Sequence, residues 1–283
     1  MATSANFGDT LLAKVIIEAG RSERQYWRDL WRFRELMYFL AWRDVTVRYK
    51  QTFIGVAWAL VRPLATMAVL VIVFGTVANL DSGGVPYSLL VLSGMLAWQL
   101  FATGFSAASE SLVTNVGLIS KVYFPRLLVP VSSVAVSLVD FLITLPLLFI
   151  LMAYYDHAPT WRLAFFPVFV ILAVLASLAV GIWMSALNVK YRDFRHAIPF
   201  VLQFGVYISP VGFSLSAVPE QYRMWYALNP VVGLIEGFRW SLLGKADEMM
   251  PFAISVTVTA VALLLLGGIR HFRKTERTFA DVI

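Results

Sequence analysis

Apolar residues along this chain gather in six long runs, at about 53–78, 88–112, 127–154, 163–187, 197–217 and 251–269, with most charged residues in the intervals between them. A helix crossing the ~30 Å hydrocarbon core needs ~20 mostly apolar residues, so each run predicts a transmembrane helix. A weaker run at about 228–243 carries Glu236 and Arg239. It is too short to cross comfortably and reads as re-entrant or interfacial, which requires protein or water around any non-helical backbone at that depth. The expected fold is an all-α polytopic membrane protein. A segment 1–52 leads into a six-span domain, 53–270, and residues 271–283 form a tail; no internal repeat or low-complexity segment interrupts them.

Before the first span, residues 24–37 have helical amphipathicity. Arg24, Arg28, Arg32 and Glu35 share one face, while Trp27, Leu30, Trp31 and Phe33 or Arg34 border the other. Such a Trp-rich, Arg-studded helix suits the interface plane, with its rings at headgroup depth. It either anchors the N-terminal segment on anionic lipid or also braces a soluble partner.

Composition agrees with a membrane protein. Only 14% of the 283 residues are charged, against about 25% in soluble domains, and mean hydropathy is +0.75. Lys and Arg are divided unequally: eighteen fall in the N-terminal segment, loops 114–126 and 188–196 and the tail, four in the alternate loops, and Arg62 lies within the first span. By the positive-inside rule both ends of the chain are expected in the cytoplasm. The many charges and missing early apolar run before residue 53 are not the pattern of a cleavable signal. With no cysteine, disulfides and thiolate metal sites are not expected, and His157, His196 and His271 are dispersed in separate loops.

Ionisable groups inside spans are costly and usually face a bundle interior or water. Here they are Arg62, Glu110 and Asp140. An Asp140–Arg62 pair would act as a structural lock; the alternative is a pair of carboxylate proton relays, Asp140 and Glu110. Tyr207, Phe213, Tyr222, Trp225 and Tyr226 cluster around the outer end of the fifth run. They form either an aromatic girdle at the headgroups or a wall of flat faces on which sugar rings stack. No phosphate-binding G-x-x-x-x-G-K-[ST] motif, nucleophile elbow or zinc-protease motif occurs. No catalytic or metal site is read from the sequence, and any ATP that drives this chain must be bound elsewhere.

The island Asn115-Val-Gly-Leu-Ile-Ser-Lys-Val-Tyr-Phe-Pro-Arg126 combines two cations, two aromatics and a proline between two spans. A rigid knob of this kind at a membrane face suits docking to a soluble protein. Together with Arg43 to Pro63, Asn188-Val-Lys-Tyr-Arg-Asp193, and Leu228-Asn-Pro230 followed by Gly237, it resembles the permease subunits of polysaccharide-exporting ABC transporters. Each fragment alone is weak, but four occur in the right order on the right sides of the membrane. The likeness covers about residues 36–275.

The resemblance implies a homodimer of six-span subunits in the bacterial inner membrane, joined to two copies of a separate ATPase that binds ATP and Mg. It implies a channel for a polyprenyl-diphosphate-linked glycan, such as O-antigen, teichoic acid or capsule; nucleic acid is not among the implied partners. Leu118, Lys121, Tyr123, Phe124, Pro125 and Arg126 would couple to the ATPase, supported by Trp27 and Trp31. Arg43, Arg48, Lys50 and Arg192 are placed to receive a diphosphate headgroup, since guanidinium binds phosphate through paired hydrogen bonds; the alternative is that they only set orientation. Three other functions compete with this one. An ABC permease for a smaller amphiphile would have a closed apolar pocket, and a proton-coupled carrier would work without ATPase. A membrane glycosyltransferase would need a carboxylate cluster in a sizeable cytoplasmic domain.

Overall fold

The computed structural model describes residues 23–50, 53–191, 193–276 and 279, and all regular elements among them are helical. Residues 1–22, most of the tail beyond 276 and the candidate headgroup residue Arg192 lie outside the described residues. Helices α1 (Glu23–Arg32) and α2 (Arg34–Tyr49) meet at Phe33, so the amphipathic segment bends within its length. Its apolar and aromatic residues divide between two faces. Tyr26, Leu30, Phe33, Leu36 and Met37 pack inward against the 119–128 region, whereas Trp27 and Trp31 remain exposed.

Helix α3 (Phe53–Leu70) continues as a π-helical stretch, Val71–Val77. After it come α4 (Tyr87–Thr114), the one-turn α5 (Val116–Ile119), α6 (Leu128–Ser133) leading into α7 (Ala135–Tyr154), and α8 (Phe166–Lys190). Helix α4 is the axis of the bundle, buried along most of its length against α7, α8 and the later helix α11. Small residues let α4 and α8 approach closely. A Cβ added at Gly181 would stand 2.5 Å from Ala108 Cβ, and one at Gly104 would stand 2.7 Å from Ser177 Oγ.

The fifth apolar run does not form the single 197–217 span expected. Helix α9 (Phe194–Ile208) has 15 residues, or ~22 Å at 1.5 Å per residue. Ser209 then turns extended, with ψ 151°, as a residue before proline prefers, and Pro210 starts a non-helical stretch. A short 3-10 turn (Leu215–Ala217) leads to α10 (Glu220–Ala227) and α11 (Pro230–Leu243). Pro230 occupies the first turn of α11, the Asn229 side chain accepts from the Val231 N–H at 3.1 Å, and Gly244 ends it at φ 71°, a left-handed C-cap. Helix α12 (Met250–Thr275) closes the chain. Five of the described helical segments are long and apolar enough to cross a membrane by length and composition. Within the 228–243 run, Pro230–Leu243 is the short buried helix α11, enclosed by α4, α8 and α12.

The loops gather at two ends. At one, Lys245 Nζ donates to the Ser82 carbonyl at 2.5 Å, His157 Nε2 donates to that of Leu243 at 3.2 Å, and Arg162 donates to that of Gly244. At the other, Arg43 reaches Asn115, Arg126 reaches Glu276 and Asn188 reaches Ser109. These are the two loop sets that the alternation of spans predicts, and the second is the basic one.

Candidate functional site

At the basic end, the 115–126 loop divides into an anchor and a tip. Ile119, Phe124 and Leu127 are buried in a cluster that Leu118 joins from its edge, and Pro125 is buried beside Phe124. Beyond this anchor, Lys121, Val122 and Tyr123 project outward, with Val122 50% and Tyr123 52% exposed against 4% for Phe124. Of the expected coupling residues, Lys121, Tyr123, Trp27 and Trp31 therefore face outward, while Leu118, Phe124 and Pro125 hold the loop down.

Arg126 also turns inward. Its backbone N–H donates to Glu276 Oε1 at 2.7 Å, and its Nη1 donates to the Glu276 backbone carbonyl at 2.7 Å. Its guanidinium lies 5.9 Å from the centre of the Phe279 ring. The Tyr26 hydroxyl donates to the other carboxylate oxygen, Oε2, at 3.3 Å, and Arg273 covers the Tyr26 ring at 4.7 Å. Burial pushes the Glu276 carboxyl above its usual range, partly opposed by the Arg126 N–H bond. Burial, then the Glu276 charge, pushes the Tyr26 hydroxyl up as well. Sequence reasoning missed Glu276, which reads as one more acid in a basic tail; nothing in its neighbours marks it.

The three described headgroup candidates do not form a cluster of free cations. Arg43 donates to Asp44 Oδ1 at 2.7 Å and to Asn115 Oδ1 at 2.5 Å. Arg48 pairs with Asp140 at 2.6 Å, and Lys50 is exposed at the end of α2. The expected Asp140–Arg62 lock is thus replaced by an Asp140–Arg48 pair, which Tyr49 joins by donating its hydroxyl to Asp140 Oδ1. Burial, then this bond, pushes the Tyr49 hydroxyl up to about 12. Arg62 points away from the bundle on an exposed face of α3, and Glu110 is half-buried one turn before the end of α4.

The five aromatics of the expected channel also separate. Tyr207, Tyr222 and Trp225 are exposed, whereas Phe213 packs between Phe74 and Tyr226 at 5.7 and 6.1 Å. Close to them lies Arg239, 1% exposed and paired with Glu236 at 3.0 Å. Its guanidinium donates to the carbonyls of Phe213 (3.0 Å), Pro210 (2.7 Å), Val211 (3.1 Å) and Leu90 (3.4 Å). Backbone groups freed by the break after Ile208 need partners inside hydrocarbon; Arg239 supplies three of them, and the Tyr87 hydroxyl donates to the Gly212 carbonyl at 2.7 Å. Among the described residues no group of three or more His, Asp or Glu is placed to hold a metal.

Residues 35–243 match the family model described as ABC-2 type transporter. The O-antigen export system permease protein RfbA of Myxococcus xanthus is 30% identical over 262 residues, covering 90% of this chain and 98% of that protein. Its namesake in Klebsiella pneumoniae is 25% identical over 253 residues, covering 88% and 95%. The polysialic acid transport protein KpsM of Escherichia coli is 22% identical over 240 residues, covering 83% and 91%. With more than half its length matched by the family model, and with a helical bundle of membrane-length segments, the chain belongs to the ABC-2 type transporter membrane family.

Proposed function

We propose that this chain is the permease subunit of an ATP-driven polysaccharide exporter, with O-antigen its most fitting cargo. A homodimer in the bacterial inner membrane moves a polyprenyl-diphosphate-linked glycan outward, and two copies of a separate ABC ATPase bind ATP and Mg. Relatives named for O-antigen and polysialic acid transport, aligned over most of their length, support the cargo class. The observation that carries the division of labour is the loop tip. Lys121, Val122 and Tyr123 stand clear of a buried anchor at the basic end, as a docking knob for a cytoplasmic ATPase requires. Tyr207 and its exposed neighbours on α9, Phe200 and Phe204, offer flat faces to the glycan. Lys50, exposed at the end of α2, and Arg192, which lies outside the described residues, are assigned to the diphosphate, while Arg43 is engaged with Asp44 and Asn115 and Arg48 with Asp140.

Deletion of the gene tests this reading. Surface polysaccharide should vanish while lipid-linked glycan accumulates inside the cell, and the wild-type chain should restore export. Unchanged surface polysaccharide in the deletion strain would defeat it.

A further inference from the structure

Three segments far apart in sequence converge on one carboxylate. Glu276 Oε1 accepts from the Arg126 N–H and Oε2 accepts from the Tyr26 hydroxyl, while its own carbonyl accepts from Arg126 Nη1. Tyr26 belongs to α1, Arg126 closes the 115–126 loop, and Glu276 caps α12. Apolar packing reinforces the junction. Phe279, 1% exposed, meets Phe272 edge-to-face at 5.4 Å, and both belong to the cluster that holds Ile119, Phe124 and Leu127.

From this junction α12 runs 26 residues, or ~39 Å as a continuous helix. Near its far end it is locked to α11. A Cβ on Gly233 would stand 2.4 Å from the Ala253 carbonyl oxygen, and Thr257 Oγ1 donates to the Pro230 carbonyl at 2.6 Å. Helix α11 in turn carries Arg239, which holds Pro210, Val211 and Phe213. A contiguous set of rigid contacts therefore joins the loop to the broken segment after α9.

We propose that Glu276 is a positioning residue for transport, a latch that ties the loop and α1 to α12 so that a stroke at the loop moves α12, and with it α11 and the 210–213 segment. This rests on the reading of the loop as the seat of the ATPase. The latch works through its acceptor oxygens. A glutamine keeps Oε1 for the Arg126 N–H, and the Tyr26 hydroxyl, able to donate or accept, turns to accept from the amide. An alanine removes both contacts.

The test uses the full permease co-purified with its partner ATPase and reconstituted in vesicles, with Glu276→Ala, Glu276→Gln and the milder Tyr26→Phe. Three quantities are measured: ATPase co-purified, ATP hydrolysed, and glycan moved per ATP. E276A should retain the ATPase and its hydrolysis but lose about tenfold in glycan moved per ATP, a typical coupling free energy. E276Q should restore the ratio and Y26F should lower it partially. A wild-type ratio in E276A overturns the latch, as does an equal loss in E276A and E276Q. Loss of bound ATPase in E276A alone overturns it in favour of a docking role, and should E276A not fold, a wild-type ratio in Y26F overturns it. Failure of the wild-type permease to retain any ATPase refutes the docking reading itself, which separates the two failures.

Discussion

Arg48 Nη2 lies 2.6 Å from Asp140 Oδ2, tying α2 at the basic end to a carboxylate near the middle of the Leu128–Tyr154 segment. The Asp140 side chain is 8% exposed and that of Arg48 52%, so one partner is buried and the other half-solvated. The pair fixes where the N-terminal helices sit on the bundle, and Tyr49 adds a second bond to the same carboxylate.

Asp140→Ala should therefore lower stability by roughly 1–2 kcal/mol, less than a fully buried pair because water screens Arg48. Arg62→Ala should change it by less than about 0.5 kcal/mol, as expected of an exposed position. Thermal unfolding in detergent checks both, and an effect of R62A as large as that of D140A would restore the Asp140–Arg62 lock.

Arg239 is expected to be indispensable to the fold. Arg239→Met leaves Glu236 buried without its partner and strips the 210–213 carbonyls of a donor, a loss on the order of 3–5 kcal/mol. Removing both charges, in Glu236→Met with Arg239→Met, should be milder than R239M alone, because no unpaired carboxylate remains. Yield of monodisperse protein and its unfolding midpoint report the order, and a double variant worse than the single contradicts it.

The loop residues should separate into two classes. Phe124→Ala empties part of a packed cluster and should cost about 3 kcal/mol. Lys121→Ala with Tyr123→Ala should leave unfolding within about 0.5 kcal/mol of wild type yet weaken ATPase association by about 1–2 kcal/mol, the loss expected if the tip is among the minority of contacts that carry an interface. Binding of the purified ATPase to vesicles holding each variant measures this.

Tyr207 and Tyr226 should also part company. Tyr226 packs on Phe213, so its alanine variant should lose about 2 kcal/mol of stability. Tyr207 is exposed, so Tyr207→Ala should keep the fold and reduce glycan export severalfold. Quantified surface polysaccharide against membrane level of the protein distinguishes the two, and wild-type export in Y207A would assign that ring to the lipid belt.

Much of the fold was legible because hydrocarbon thickness imposes a length on each apolar run, and the all-helical architecture follows. The break at Ile208 was not. Pro199 lies inside α9 without ending it, whereas Pro210 follows a true break, and the same residue type stands at both places. The difference lies in distant donors, Arg239, 29 positions downstream, and Tyr87, which bind the carbonyls of residues 210–213. Pairing suffered in the same way. Arg62 lies within a span and so looked like the partner for Asp140, but helix rotation turns it outward and brings Arg48 in from α2. The 115–126 loop was visible as a cationic aromatic island, but which of its side chains face inward depends on α1 and α12, whose contact with it no local pattern encodes.

The most direct measurement is glycan translocation in vesicles holding the purified chain, with and without its ATPase partner, given a labelled polyprenyl-diphosphate glycan. The glycan should cross only when this chain, the ATPase and hydrolysable ATP are all present, and a proton gradient should not replace ATP. Translocation by the chain alone on a proton gradient, or ATP-driven movement of a small amphiphile but not of the glycan, would contradict the account.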